Sequence, residues 1–190
     1  SATVAATRNE DDLDLWQEKA DAEFDLEKYQ DAFYSITKAM EIDPNDEQNF
    51  WVMGKALRKL GNYELALIWF DRLVEAGLRD GEITKVVTNN YEKFILNDDT
   101  VLENAADCFE YRAECLYETN RSKEARDSLN FALELETNQK TLQHLHNLKG
   151  MISRSLALAF RKNNSGDFNG NDYKFYFEES KKHYEEAIKL

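Results

Sequence analysis

Small, aromatic and large apolar side chains return along this chain at a fixed interval. Ala20, Leu26, Tyr29, Ala32, Ile36 and Met40 are followed 34 positions later by Gly54, Leu60, Tyr63, Ala66, Phe70 and Val74, and each pair keeps its size class. In the second half of each set, Tyr29, Ala32, Ile36 and Met40 in the first, the spacing is that of one helix face. A period of this length predicts stacked helix pairs, in which each unit buries an apolar face that it could not bury alone.

The pattern predicts a first pair with helices near 12–26 and 29–42, with Asp11 and Asp12 at the helix start and residues 1–10 as a flexible segment. Asp43-Pro44-Asn45 interrupts the chain, because proline lacks an amide hydrogen and disfavours helix in the residue before it. A second pair is expected near 46–60 and 63–76, capped at Gly77. The period then slips. Ala113, Leu116, Ser122, Ala125, Leu129 and Ala132 repeat Gly54, Leu57, Tyr63, Ala66, Phe70 and Leu73 at a spacing of 59, which leaves 25 extra residues. Val86, Val87, Tyr91, Phe94 and Ile95 fall at helical spacing inside that excess, so an added helix is expected over 81–97. A third unit over about 101–137 has Asn120 and Ser122 in its turn. A fourth, over about 139–190, starts with a long helix near 139–162 and continues through a Gly/Asn/Ser/Asp loop.

The clearest unit runs from Trp51 to Leu78 and contains Met53-Gly54, Ala56-Leu57, Gly61-Asn62-Tyr63, Ala66 and Phe70. These residues resemble the tetratricopeptide repeat family, whose unit is a helix A, a Gly-x-Tyr-type turn and a helix B. The resemblance implies an all-α, right-handed helical solenoid of about four helix pairs, the last two degenerate, with the one extra helix inserted. It would fill residues 11–190 as a single domain, with repeats at about 13–46 and 47–80 before the insert, as a piece of a longer protein. Trp16, Tyr29, Ile36, Leu60, Tyr63, Phe70, Leu116, Leu129 and Tyr184 are the expected core.

In that family helix A lines a concave groove that commonly holds an extended peptide. Carried over, the resemblance assigns Gln17, Asp21 and Phe24 from the first helix A to a peptide-binding groove. Gln48, Trp51, Lys55 and Arg58 come from the second, and Tyr111, Glu114 and Tyr117 from the third, with Val52 and Glu110 on the same helices. Acidic walls with aromatics suit a peptide carrying Arg or Lys beside apolar anchors. The clamp that family members use for the acidic tails of heat-shock chaperones has no counterpart here. Gln17, Asp21 and Val52 stand where its basic and amide residues belong, which makes a chaperone tail an unsuitable partner.

Charge and composition narrow the reading further. The formal net charge of −13 repels duplex nucleic acid and anionic membrane surfaces and favours a protein partner. No apolar run is long enough to span a bilayer, and no secretion-type pattern is present. An intracellular, cytoplasmic protein is therefore expected. Cys108 and Cys115 lie two helical turns apart, too far for a disulfide. No catalytic motif, cofactor site or metal site is assigned. His144 and His146 are two apart and face different sides of a helix, and His183 has no sequence neighbour of its kind. Asp167 to Glu178 partly mimics a calcium loop, but Asp172 occupies the place of the sharp-turn glycine, so it reads as a connector in which Asp172 caps the next helix. The expected function is a non-catalytic protein-interaction scaffold. A structural assembly subunit using the convex face or the C-terminal helix is the first alternative, and a regulatory domain of a larger enzyme is the second.

Overall fold

A computed structural model describes residues 2–88, 92–97, 104–163 and 171–190, with side chains described from residue 12 onward except at 163 and 171. The order of elements is α1 (Ala2–Asp25), α2 (Tyr29–Ile42), α3 (Glu47–Lys59), α4 (Tyr63–Arg79), β1 (Ile83–Val87), β2 (Glu92–Leu96), α5 (Ala105–Glu118), α6 (Ser122–Leu135), α7 (Gln139–Asn163) and α8 (Asn171–Lys189). The chain forms two compact units, residues 1–77 and 78–190.

The repeat is written most clearly in its turns. Glu27, Gly61 and Asn120 all adopt left-handed backbone, with φ of 59°, 76° and 62°. Their amides donate to Phe24, Arg58 and Tyr117, and the following amides of Lys28, Asn62 and Arg121 donate to Glu23, Leu57 and Leu116. This is the same helix-ending motif three times, and its positions differ by the 34 and 59 residues of the sequence period. Asn120 thus does the work of the glycine it replaces, which is what asparagine's tolerance of left-handed backbone permits.

Packing across each pair follows the small-against-large pattern. Ala20 and Ile36, Gly54 and Phe70, and Ala113 and Leu129 are buried. A methyl group built on Gly54 would lie 2.8 Å from Phe70 Cε1, so only glycine lets this ring approach α3. Gly150 plays the same part in the last pair, where a methyl would lie 2.9 Å from Tyr184 Cε1. Of the expected core, Ile36, Phe70, Leu116 and Leu129 are fully buried, whereas Trp16, Tyr29, Tyr63 and Tyr184 are half-buried. Leu60 is a correction. It is the C-cap of α3, already off the buried stripe, and is 41% exposed.

Several boundaries also differ from expectation. α1 reaches back to Ala2 rather than starting at Asp12, since nothing in Ala-Thr-Val-Ala-Ala-Thr breaks a helix. α4 continues through a buried Gly77 to Arg79, and the left-handed glycine is Gly81 (φ 74°). Asp46 caps α3 by accepting from the Gln48 amide at 2.8 Å, in keeping with the expected start near 46. Asp172 lies in the first turn of α8, which begins at Asn171. The remainder of the calcium-like loop, residues 164–170, lies outside the described residues.

The largest correction is the insert. Residues 83–96 form an antiparallel hairpin, not a helix. Ile83, Thr84, Val86 and Val87 are β-branched and favour extended backbone. Helical spacing of the apolar residues was coincidental with strand alternation. Ile83 and Leu96 pair on the face that also carries Lys85, Phe94 and Glu92, and Ile83 and Phe94 are buried there. Val86 and Ile95 fall on the opposite, exposed face. Phe94 joins Phe109 of α5 and Phe131 of α6 in an aromatic cluster, with centroids 4.9, 6.0 and 4.6 Å apart. The Glu92 amide donates to Asp127 Oδ2 of α6 at 2.8 Å, which pins the hairpin to the helix.

Candidate functional site

In the first unit the positions assigned to helix A do converge. Gln17, Asp21 and Phe24 recur along one side of α1, and Gln48, Trp51 and Lys55 along one side of α3. The Lys55 ammonium lies 4.7 Å from the centroid of Phe24 and 5.2 Å from that of Trp51, with Asp21 Oδ1 3.7 Å away. Asp21 also accepts from Gln48 Nε2 at 3.2 Å. The aromatic pair therefore already holds a cation, supplied by the chain itself. Gln17 is used differently from expectation. Its amide donates to Asn49 Oδ1 at 2.8 Å, and fully buried Asn49 donates to the Asp43 carbonyl at 2.8 Å, so Gln17 braces the start of α3. Arg58 is half-buried and Val52 fully buried, which removes Val52 from any surface.

In the second unit Tyr111, Glu114 and Tyr117 lie along one stripe of α5 and are all half-buried. Tyr117 joins Met151, Arg154, Ser155, Leu158 and Tyr184 around a groove of about 290 Å³. Met151 and Leu158, one heptad apart on α7, are about half exposed there. Glu110, expected on the same surface, is instead only 7% exposed. Its Oε1 lies 3.2 Å from His144 Nε2 of α7, and Glu114 Oε1 lies 3.8 Å from the same nitrogen.

α6, α7 and α8 enclose a polar network that the sequence did not reveal. Arg126 grips Glu179 with both Nε and Nη2 at 2.7 Å, and Ser153 Oγ donates to Glu179 Oε2 at 2.9 Å. Lys149 Nζ lies 3.8 Å from Glu179 Oε1. Burial opposes ionisation of Glu179, but the Arg126 hydrogen bonds and charge outweigh it and hold the carboxyl below its usual range. Burial pushes Lys149 down and Asp127 up. His146 and His183 stack with Nδ1 atoms 2.8 Å apart, so one must donate while the other accepts. Burial, then Lys149 and His146, push His183 down to about 4, and burial lowers His146 also. His183 therefore has the partner that its isolated place in the sequence concealed. The expectation that His144 and His146 face different ways holds, since one meets α5 and the other α8. A cavity of about 410 Å³ lies against this network, lined by Phe94, Asp127, Phe131, His146, Lys149 and His183 among others.

These turns and pairs make a fold of stacked helix pairs like that of tetratricopeptide repeats, with eight helices among the described residues. Solved structures share the fold. The "MamA RS-1 ArsTM double mutant" matches with a TM-score of 0.61 and 16% identity over 98% of this chain and 79% of that one. MamA 41-end from Desulfovibrio magneticus RS-1 matches with a TM-score of 0.58 and 17% identity over 94% and 77%. The Yersinia enterocolitica type III secretion chaperone SycD, in complex with a peptide of the translocator YopD, matches with a TM-score of 0.53 and 20% identity over 75% and 92%. No family model matches the sequence, and neither does any curated protein. Among the described residues no helix is long and apolar enough to cross a membrane.

Proposed function

We propose that this chain is a non-catalytic interaction scaffold that holds a peptide segment of a protein partner along its helices A. The observation that carries the reading is the meeting of Asp21, Phe24, Trp51 and Lys55 from two different helices A at one charged aromatic patch. A repeat scaffold offers such a patch pre-formed, so little ordering entropy is lost on binding. The peptide complex of SycD adds support by fold likeness alone. The net charge of −13 favours a segment with Arg or Lys beside apolar anchors. Its basic residue would compete with Lys55 for the rings of Phe24 and Trp51.

A peptide array probed at low and moderate salt tests this, with Trp51→Ala, Tyr111→Ala and Lys55→Met alongside the parent chain. Salt-sensitive binding of basic-apolar peptides, lost in Trp51→Ala and strengthened in Lys55→Met, is the expected result. Silence across the array would overturn it.

A further inference from the structure

We infer that Glu110, Glu114 and His144 form a binding site for a divalent first-row transition ion. Glu110 and Glu114 are one turn apart on α5, so their carboxylates project to the same side. His144 reaches them from α7, and one donor atom from each of the three residues lies within 4.8 Å of the others. Donors held about 2.0–2.2 Å from a shared zinc-like ion stand about 3.4 Å apart in a tetrahedron. The two observed separations from His144 Nε2, 3.2 and 3.8 Å, bracket that edge.

The donor set selects the class of ion. Two carboxylates and an imidazole suit zinc, manganese, cobalt or nickel; calcium and magnesium prefer oxygen alone, and no thiolate is offered to a soft ion. Buried Glu110 fixes one side of the site, while the His144 side chain is 58% exposed. The remaining coordination positions thus open to solvent, where a water or a partner's side chain would complete them. The competing account is a simple ion pair in which protonated His144 bridges two carboxylates. The two differ in sign with respect to the proton, because a metal requires the neutral imidazole.

The test is calorimetric titration of zinc chloride into the full chain, repeated with His144→Ala, Glu114→Gln and, as a control on the other side of α7, His146→Ala. Binding of one ion per chain is expected, weakened about tenfold or more by His144→Ala and by Glu114→Gln and unchanged by His146→Ala. Circular dichroism of each variant confirms retained helix, since all three altered side chains are at least partly exposed. Absence of binding at millimolar zinc, or binding indifferent to His144→Ala and Glu114→Gln, would overturn the assignment.

Discussion

Replacing Gly54 by alanine opposes two effects of similar size, and the structure decides between them. Gly54 sits inside α3, where alanine is favoured over glycine by about 1 kcal/mol. The added methyl would stand 2.8 and 2.9 Å from Phe70 Cε1 and Cζ, against an optimal carbon separation of about 3.5–4.0 Å. Phe70 is fully buried, so its ring has nowhere to retreat and α3 and α4 must part. Overpacking of this kind costs about 1–3 kcal/mol, which leaves a net loss of up to about 2 kcal/mol after the propensity gain. For a unit of this size each kcal/mol lost lowers the melting temperature by about 4–8 °C. Urea unfolding followed by tryptophan fluorescence is the assay, because Trp16, Trp51 and Trp69 all lie in the unit of residues 1–77 and report on it selectively. Gly150→Ala meets the ring of half-buried Tyr184, which can swing outward, so its effect should be smaller. A Gly54→Ala variant stabilised by about 1 kcal/mol would show that propensity alone governs the site and would refute the close-approach argument.

Other perturbations test separate parts of the structure. Phe94→Ala should cost about 3–4 kcal/mol by emptying the cluster with Phe109 and Phe131, and hydrogen exchange should show the 83–96 hairpin losing protection before the helices. His183 has a folded pKa near 4 against an ordinary 6.5. Its contribution to stability is therefore complete above about 6.5 and is lost as pH falls towards about 4, at up to about 1.4 kcal/mol per pH unit; denaturation midpoints across that window should flatten in His183→Asn. Glu27→Gly should raise stability by about 0.5–1 kcal/mol through relief of left-handed strain, read as a higher urea midpoint, whereas Asn120→Gly should change little.

The period of 34 carried most of the fold because helix pairing is local. Small residues at Ala20, Gly54 and Ala113 face larger ones sixteen positions on, within one hairpin of helices. The hairpin at 83–96 was illegible as such because Val86, Phe94 and Ile95 suit a helical stripe and a strand face alike over so short a run. In the first unit Asp21, Phe24, Trp51 and Lys55, which the repeat resemblance assigned to helices A, lie beside one another. What Gln17 does was not readable, because it depends on Asn49 being buried opposite it. The meetings of Glu110 with His144, His146 with His183 and Arg126 with Glu179 join separate helices. No spacing rule anticipates such contacts.

The three left-handed turns make the molecule its own comparative experiment. One backbone geometry is realised by glutamate, glycine and asparagine at positions 27, 61 and 120. Exchanging those letters among the three sites holds the hydrogen-bond pattern constant while the surroundings vary. Any spread in the measured cost would then report the influence of context, free of the differences between backgrounds that confound the same comparison made across separate proteins.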